Sequence, residues 1–445
     1  MKAQLFGIIL TILILGAPAN ADDARAIAID DARAIAIIES LDGEVERATN
    51  EPGMPVVMVR LGGRKVTDEA LKELAAFPQL RTLYLPFTRI SDAGLKDLAS
   101  LKHLQQLFLT NTQISDSGLK ELSSLSEIEL LLLGHTQITD VGLEALSALK
   151  KLRVLHLDGT RITDAGLKAL VALQKLEELN LSRTKLLGRG TKHLAGLPGL
   201  RSLDLYKAEV SDVAMKELSG TIQLQELALT DADITEEGLK QLGHLTQLRK
   251  LLLVGCRVTD DVCKQLTDLK HLEELRLFDT KVTNEGIKWL GRLGELRYLG
   301  LSSTLVTDAG LKDLRNLTKL QELVLPRGVT DAGLKELAPL RNLKNLALIG
   351  SNVTGIGLKD LAQLKELKRL ALPRSKVTDA GLKNLAALKS LEDLSLVNTE
   401  VTDAGLKELT SLTQLQELHL RGTKVTAVGV AQFKEAVPNC RVTLR

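Results

Sequence analysis

A 24-residue unit recurs along the chain, and no other feature of the sequence constrains the fold as much. Its clearest copy, residues 391–414, reads LEDLSLVNTEVTDAGLKELTSLTQ, or L-x-x-L-x-L-x-x-T-x-V-T-D-A-G-L-K-x-L-x-x-L. Copies begin at Val56, Leu80, Leu104, Ile128, Leu152, Leu176, Leu200, Leu224, Leu248, Leu272, Leu296, Leu320, Leu343, Leu367, Leu391 and Leu415. These are sixteen units of 24 residues, apart from the 23-residue one at Leu320. A fixed period of this length marks a stacked architecture in which each unit contacts its neighbours and cannot bury its apolar face alone.

Each unit carries two hydrophobic periods. L-x-x-L-x-L alternates at period two, as a short strand with one buried face does. V-T-D-A-G-L-K-x-L-x-x-L spaces its Leu residues three apart and predicts a short helix with one apolar stripe. A strand followed by a helix in every unit forces the strands to stack in parallel. The fold class expected is therefore α/β: a solenoid curved like a horseshoe, with a parallel sheet on its concave face and short helices on its convex face.

The ends depart from the repeat. Met1-Lys2, the apolar run 5–15 and Ala19-Asn20-Ala21 have the layout of a secretory signal, so residues 1–21 are expected to be removed on export. The run is short for a bilayer span, and no membrane span is expected. Residues 22–55 contain DDARAIAI twice and then Asp42-Gly43 and Glu44–Arg47, which predicts a helix, a turn and a strand that cap the array. Repeats occupy 56–438, and 439–445 form a closing strand. Charged residues are 26% of the chain and balance to +2, which argues against a nucleic-acid partner.

The pattern L-x-x-L-x-L-x-x-T-x-V-T-D-x-G-L resembles the leucine-rich repeat family over residues 56–445. It is most similar to the cysteine-containing subtype, L-x-x-L-x-L-x-x-C-x-x-I-T-D-x-G-L, found in F-box substrate receptors and in secreted bacterial repeat proteins. Thr88, Thr112, Thr136 and Thr160 stand where that subtype has Cys, and the unit is shorter. No F-box precedes the array, and an export signal speaks against a ubiquitin-ligase adaptor.

The fixed columns read as architecture. Ser or Thr followed by Asp (Asp68, Asp92, Asp116, Asp140, Asp164) sits where each helix begins, so the hydroxyl caps free N–H groups and the carboxylate meets the positive helix end. Gly94, Gly118 and Gly142, two places on, are expected to permit close backbone packing. The Lys column (Lys96, Lys120, Lys168, Lys216) is a solvated helix face. Cys256 replaces the Thr column and Cys263 a helical Leu, so both are expected to be buried and unpaired. His135, His156 and Asp158 fall on neighbouring strands, but their offset favours surface polarity, and no metal is assigned. Phosphate-loop, dinucleotide and nucleophile-elbow motifs are absent. No enzyme activity and no cofactor are expected.

Function is expected in the places the consensus leaves free: one, two, four, six and seven, counting the first Leu as zero. Six of the ten aromatic residues fall there, namely Tyr84, Phe87, Phe108, Tyr206, Phe278 and Tyr298, whereas random placement would give about two. Tyr84, Phe87, Phe108, Leu130 and Leu132 form a first cluster, unless the N-terminal cap folds over it. Arg276, Phe278, Asp279 and Tyr298 form a second. Arg327, Lys344, Lys368, Arg369 and Arg374, with Glu322 beside them, form a basic patch. The expected function is an exported, non-enzymatic scaffold that binds a protein or polysaccharide on its concave sheet. A passive or self-associating envelope component is the alternative.

Overall fold

The computed structural model describes residues 21–444, and the expected export signal lies outside them except for Ala21. The repeat beginning at Leu80 shows how its letters become structure. Leu80, Leu83 and Leu85 are fully buried, and Thr82–Tyr84 form the strand. Phe87 then turns the chain with φ 61°. The buried Thr88 hydroxyl donates to the Leu85 carbonyl at 2.8 Å, satisfying both groups inside the turn. Ser91 caps the helix Asp92–Leu95, accepting from the Ala93 N–H, and the chain continues as a 3-10 turn, Lys96–Ser100. Leu95, Leu98 and Leu101 are all fully buried. Their spacing of three suits a 3-10 turn, where residues i and i+3 eclipse, better than a long α-helix.

The described residues divide into two compact units, one ending at His156 and the other beginning at Leu157. In the first unit the strands Val56–Arg60, Thr82–Tyr84, Gln106–Phe108, Leu130–Leu132 and Val154–His156 pair in parallel, one repeat apart. The strand Glu44–Arg47 pairs antiparallel to Val56–Arg60. The helix Ala21–Ser40 packs its Ala34 and Ile38 toward the 3-10 turn Glu73–Ala76, and its Asp31 meets Arg47 at 3.3 Å. In the second unit twelve parallel strands run in sequence order from Glu178–Asn180 to Arg441–Thr443. The 23-residue unit keeps register, with Glu322 opposite Asn345.

The Ser/Thr–Asp column does more than cap helices. Asp92 accepts the backbone N–H of Ser115, in the next repeat, at 2.8 Å and its hydroxyl at 2.5 Å. Asp68 holds Ser91 and Asp116 holds Thr139 in the same way. In the second unit Asp260, Asp308, Asp379 and Asp403 hold Thr283, Thr330, Thr402 and Thr426. Each carboxylate thus fastens its helix start to the cap of the following one. A Cβ added to Gly94, Gly118 or Gly142 would strike the Asp oxygen of the preceding repeat. At these positions the glycine leaves room for the carboxylate, whereas at Gly357 and Gly381 it lies close against backbone of the preceding repeat, the close packing that was expected.

Two carboxylates of the ladder predict an acid-sensitive fold. At Asp331 burial pushes the carboxyl up, but the N–H groups of Thr354, Gly357 and Gly355 and the Thr354 hydroxyl outweigh it, leaving it below the usual value of 3.8. At Asp403 the Thr426 N–H and hydroxyl lower it likewise. A carboxylate whose folded pKa lies below its unfolded one stabilises above the unfolded value, and that stability is lost as pH falls through the folded value. Thermal midpoints are therefore expected to fall as the pH drops below the usual carboxylate value of 3.8. A flat profile by circular dichroism would contradict the ladder's contribution.

Where the consensus changes, the fold changes locally. At Leu187-Gly188 there is no Ser/Thr–Asp pair, and the Asp164 carboxylate instead accepts the N–H groups of Gly188 and Gly190. A short parallel pair, Lys185–Leu186 with Glu209–Val210, is added there. In the shortened repeat, among the described residues, none of Pro326, Arg327 or Gly328 takes the left-handed turn conformation that place seven has elsewhere. A third irregularity lies in the repeat beginning at Leu343. Gly355 (φ 102°) replaces an Asp and starts a 3-10 segment, Ile356–Gln363, close against Gly381. Cys256, Cys263 and Cys440 are free and buried, and burial pushes the Cys256 thiol up to about 12.

Candidate functional site

Three residues per strand alternate about the sheet, so places two and four stand on the face opposite the core. In the first unit place four runs Arg60, Tyr84, Phe108, Leu132, His156, in register from strand to strand. Tyr84 and Phe108 stack with centroids 4.0 Å apart and planes 18° apart, and the Arg60 guanidinium lies 5.1 Å over the Tyr84 ring. Beside this column place two runs Met58, Thr82, Gln106, Leu130, Val154. The result is a continuous, half-buried and largely apolar strip. The cap helix packs on the helix side, against Glu73–Ala76, and Phe87 at the strip's edge is 61% exposed. Among the described residues, the cap folding over this cluster is thereby not observed.

Phe87 is not on the strand. Place seven is a turn residue with positive φ, as at Phe87, Asn111, His135, Arg183, Lys207, Asp279, Arg374 and Asn398. This corrects the expectation that place seven shares the sheet face. It also makes Phe87 unusual, since a bulky side chain in the left-handed region is strained.

In the second unit, Arg276, Phe278 and Tyr298 do come together. Arg276 lies 4.7 Å over the Tyr298 ring and pairs with Glu274 at 2.6 Å. The Phe278 ring lies against Gly300, where a Cβ would meet its Cε1 and Cζ. Burial pushes the Tyr298 phenol up. Asp279 sits apart, in the turn. Tyr206 stands alone between Arg183 and Lys207, at 5.7 and 5.2 Å. Beyond Gly300, place four becomes small: Val324, Ala347, Ala371 and Ser395 floor a shallow depression of about 320 Å³ that Tyr298 and His419 bound.

The basic residues do not make one patch. Lys344, Lys368 and Arg369 stand at the strand starts, whereas Arg327 and Arg374 stand in the turns after the strands, Arg374 alone with positive φ. Lys368 and Arg369 stand six and five residues before Arg374, at the other end of the strand Arg369–Ala371. Lys368 also pairs with Glu392 at 2.8 Å. Of the three residues considered for metal, His135 lies in a left-handed turn and only His156 is in a strand. Among the described residues a different trio gathers potential ligands: Asp393, Glu417 and His419, with donor atoms within 4.8 Å of one another. Sequence reading missed it, although its signal was there. Two acids stand one repeat apart at place two, with a His two residues after the second.

The repeat geometry has counterparts. Residues 64–310 match the family model described as a leucine-rich repeat region. A leucine-rich repeat protein of Leptospira interrogans has a similar structure at 22% identity, with TM-score 0.58, covering 85% of this chain and 100% of that one. The mouse RP105/MD-1 complex is similar at 18% identity, TM-score 0.52, covering 86% of this chain and 77% of that one. No curated protein matches. At these identities the structures show the fold and not a ligand. Among the described residues no helix is long and apolar enough to cross a membrane. With more than half of the chain matched, and with strand, turn, cap and 3-10 segment recurring as described, the protein belongs to the leucine-rich repeat family.

Proposed function

We propose that the protein is an exported binding scaffold that recognises a protein partner on the sheet face of its first unit. The observation that carries this reading is the strip Met58, Tyr84, Phe108, Leu130, Leu132, with the strained and exposed Phe87 at its edge. Large apolar residues concentrated on one stretch of the sheet face, with aromatic anchors, have the make-up of an interface hot spot. A polysaccharide is the weaker reading here. Sugars stack on open ring faces, and both faces of Tyr84 are taken, one by Phe108 and one by Arg60. Export rests on the basic start, the apolar run and Ala19-Asn20-Ala21.

The test compares the native chain with a Phe87→Ala/Phe108→Ala variant as bait against proteins of its own compartment. Neither ring belongs to the Leu core, so the variant should stay folded and lose about 0.5–1.5 kcal/mol with the Tyr84–Phe108 stack. A partner retained by the native chain is expected to bind the variant at least about 30-fold more weakly, the loss of some 2 kcal/mol at a hot spot. Equal retention would remove this strip as the site.

A further inference from the structure

We propose that Asp393, Glu417 and His419 form a binding site for a divalent transition-metal ion, with zinc the best fit, at the end of the sheet-face depression in the second unit. The site is independent of the aromatic strip in the first unit. Asp393 and Glu417 occupy place two of adjacent strands, directly opposite each other, and His419 occupies place four beside Ser395. Like charges directly opposite are destabilising in a sheet. Along that row in the second unit, other neighbours are opposite in charge or include an uncharged residue, as with Glu226–Lys250, Lys250–Glu274, Arg369–Asp393 and Glu417–Arg441. Asp393 and Glu417 are the exception, and the exception falls where an imidazole joins them.

The distances favour an ion over direct pairing. His419 Nε2 lies 3.5 Å from Asp393 Oδ1 and 3.3 Å from Glu417 Oε2. Both exceed the usual hydrogen-bond range of about 2.7–3.2 Å. Two ligands each about 2.1 Å from one tetrahedral ion are separated by roughly 3.4 Å, which is the spacing from His419 to each carboxylate, and all three donor atoms lie within 4.8 Å of one another. One imidazole and two carboxylates are a borderline donor set, suited to zinc better than to the oxygen-seeking magnesium or calcium. All three side chains are half-buried, so the ion would be partly desolvated while remaining reachable. Three protein ligands leave a coordination position open. Asp393 and His419 also line the depression, together with Tyr298, Glu322 and Arg369. A donor seated there has access to that position.

The test is calorimetric titration of the full chain with Zn²⁺ alone after removal of metal by a chelator. The native chain is expected to take up one equivalent with a Kd in the micromolar range or below. His419→Gln and Glu417→Gln are each expected to raise Kd at least ~10-fold, since loss of a ligand should cost no less than loss of an outer partner. His271→Gln, at an exposed histidine outside the trio, should leave it unchanged. Thermal melts in chelator establish that the variants fold. Two results overturn the site: no uptake by the native chain, or equal uptake by the native chain and His419→Gln.

Discussion

Leu275→Asp is expected to unfold a block of repeats in the second unit, not a single strand. Leu275 is fully buried in the strand Glu274–Arg276, in register with Leu251 on one side and Leu299 on the other. Removing the leucine forfeits about 2 kcal/mol of burial, and the void it leaves adds to this. The aspartate that replaces it would be a charge with no partner, because each neighbouring core position is also an apolar residue. Burying an unpaired carboxylate costs several kcal/mol more, so the total exceeds roughly 5 kcal/mol. A stacked array then spreads the damage, since each repeat is stable only through its neighbours. Hydrogen exchange should show Lys250–Leu252, Glu274–Arg276 and Tyr298–Gly300 losing protection together. Leu275→Ala, which leaves a cavity but no charge, should cost about 2–5 kcal/mol and keep the array folded. Protection lost only at Leu275 itself would contradict the cooperative picture.

The core was legible because its signal is a period. Leu80, Leu83 and Leu85, then Leu95, Leu98 and Leu101, announce a strand and a helical turn from spacing alone, and repetition removes the ambiguity of any one copy. What was not legible depends on contacts between repeats. Asp92 reads locally as a helix-start residue. Its partner Ser115 is 23 residues away, and nothing in one unit shows that the two meet. The same holds for Gly118, whose lack of a side chain makes sense only beside Asp92. Place seven misled for another reason. Counting along a strand assumes that the extended conformation continues, and here the chain turns left-handed at Phe87 and Arg374. The basic residues gathered by count therefore separate in space, and the Asp393–Glu417–His419 trio, formed across two strands, went unnoticed.

The second large effect tests the contact between the Asp and Gly columns directly. Gly118 lies within the helix Asp116–Glu121, where Ala would ordinarily be favoured over Gly by about 1 kcal/mol. Here the sign should reverse. A Cβ at Gly118 would press into Asp92 Oδ1, the oxygen that accepts the Ser115 N–H at 2.8 Å, and would meet Leu95 Cδ1 at 3.1 Å. The carboxylate cannot swing aside without giving up both bonds to Ser115, leaving that N–H and hydroxyl short of acceptors. Gly118→Ala is expected to destabilise by about 2–3 kcal/mol, the range for a lost charged hydrogen bond with a strained contact. Asp92→Ala alone removes the same two bonds and should cost about 2 kcal/mol. Combining them should not add. With the carboxylate gone, the space at Gly118 opens and the helix preference of Ala returns, so the double variant should be no worse than Asp92→Ala and the coupling should exceed about 1 kcal/mol. Denaturant melts of the four proteins measure it. Strict additivity would mean that the glycine column answers to something other than the carboxylate ladder.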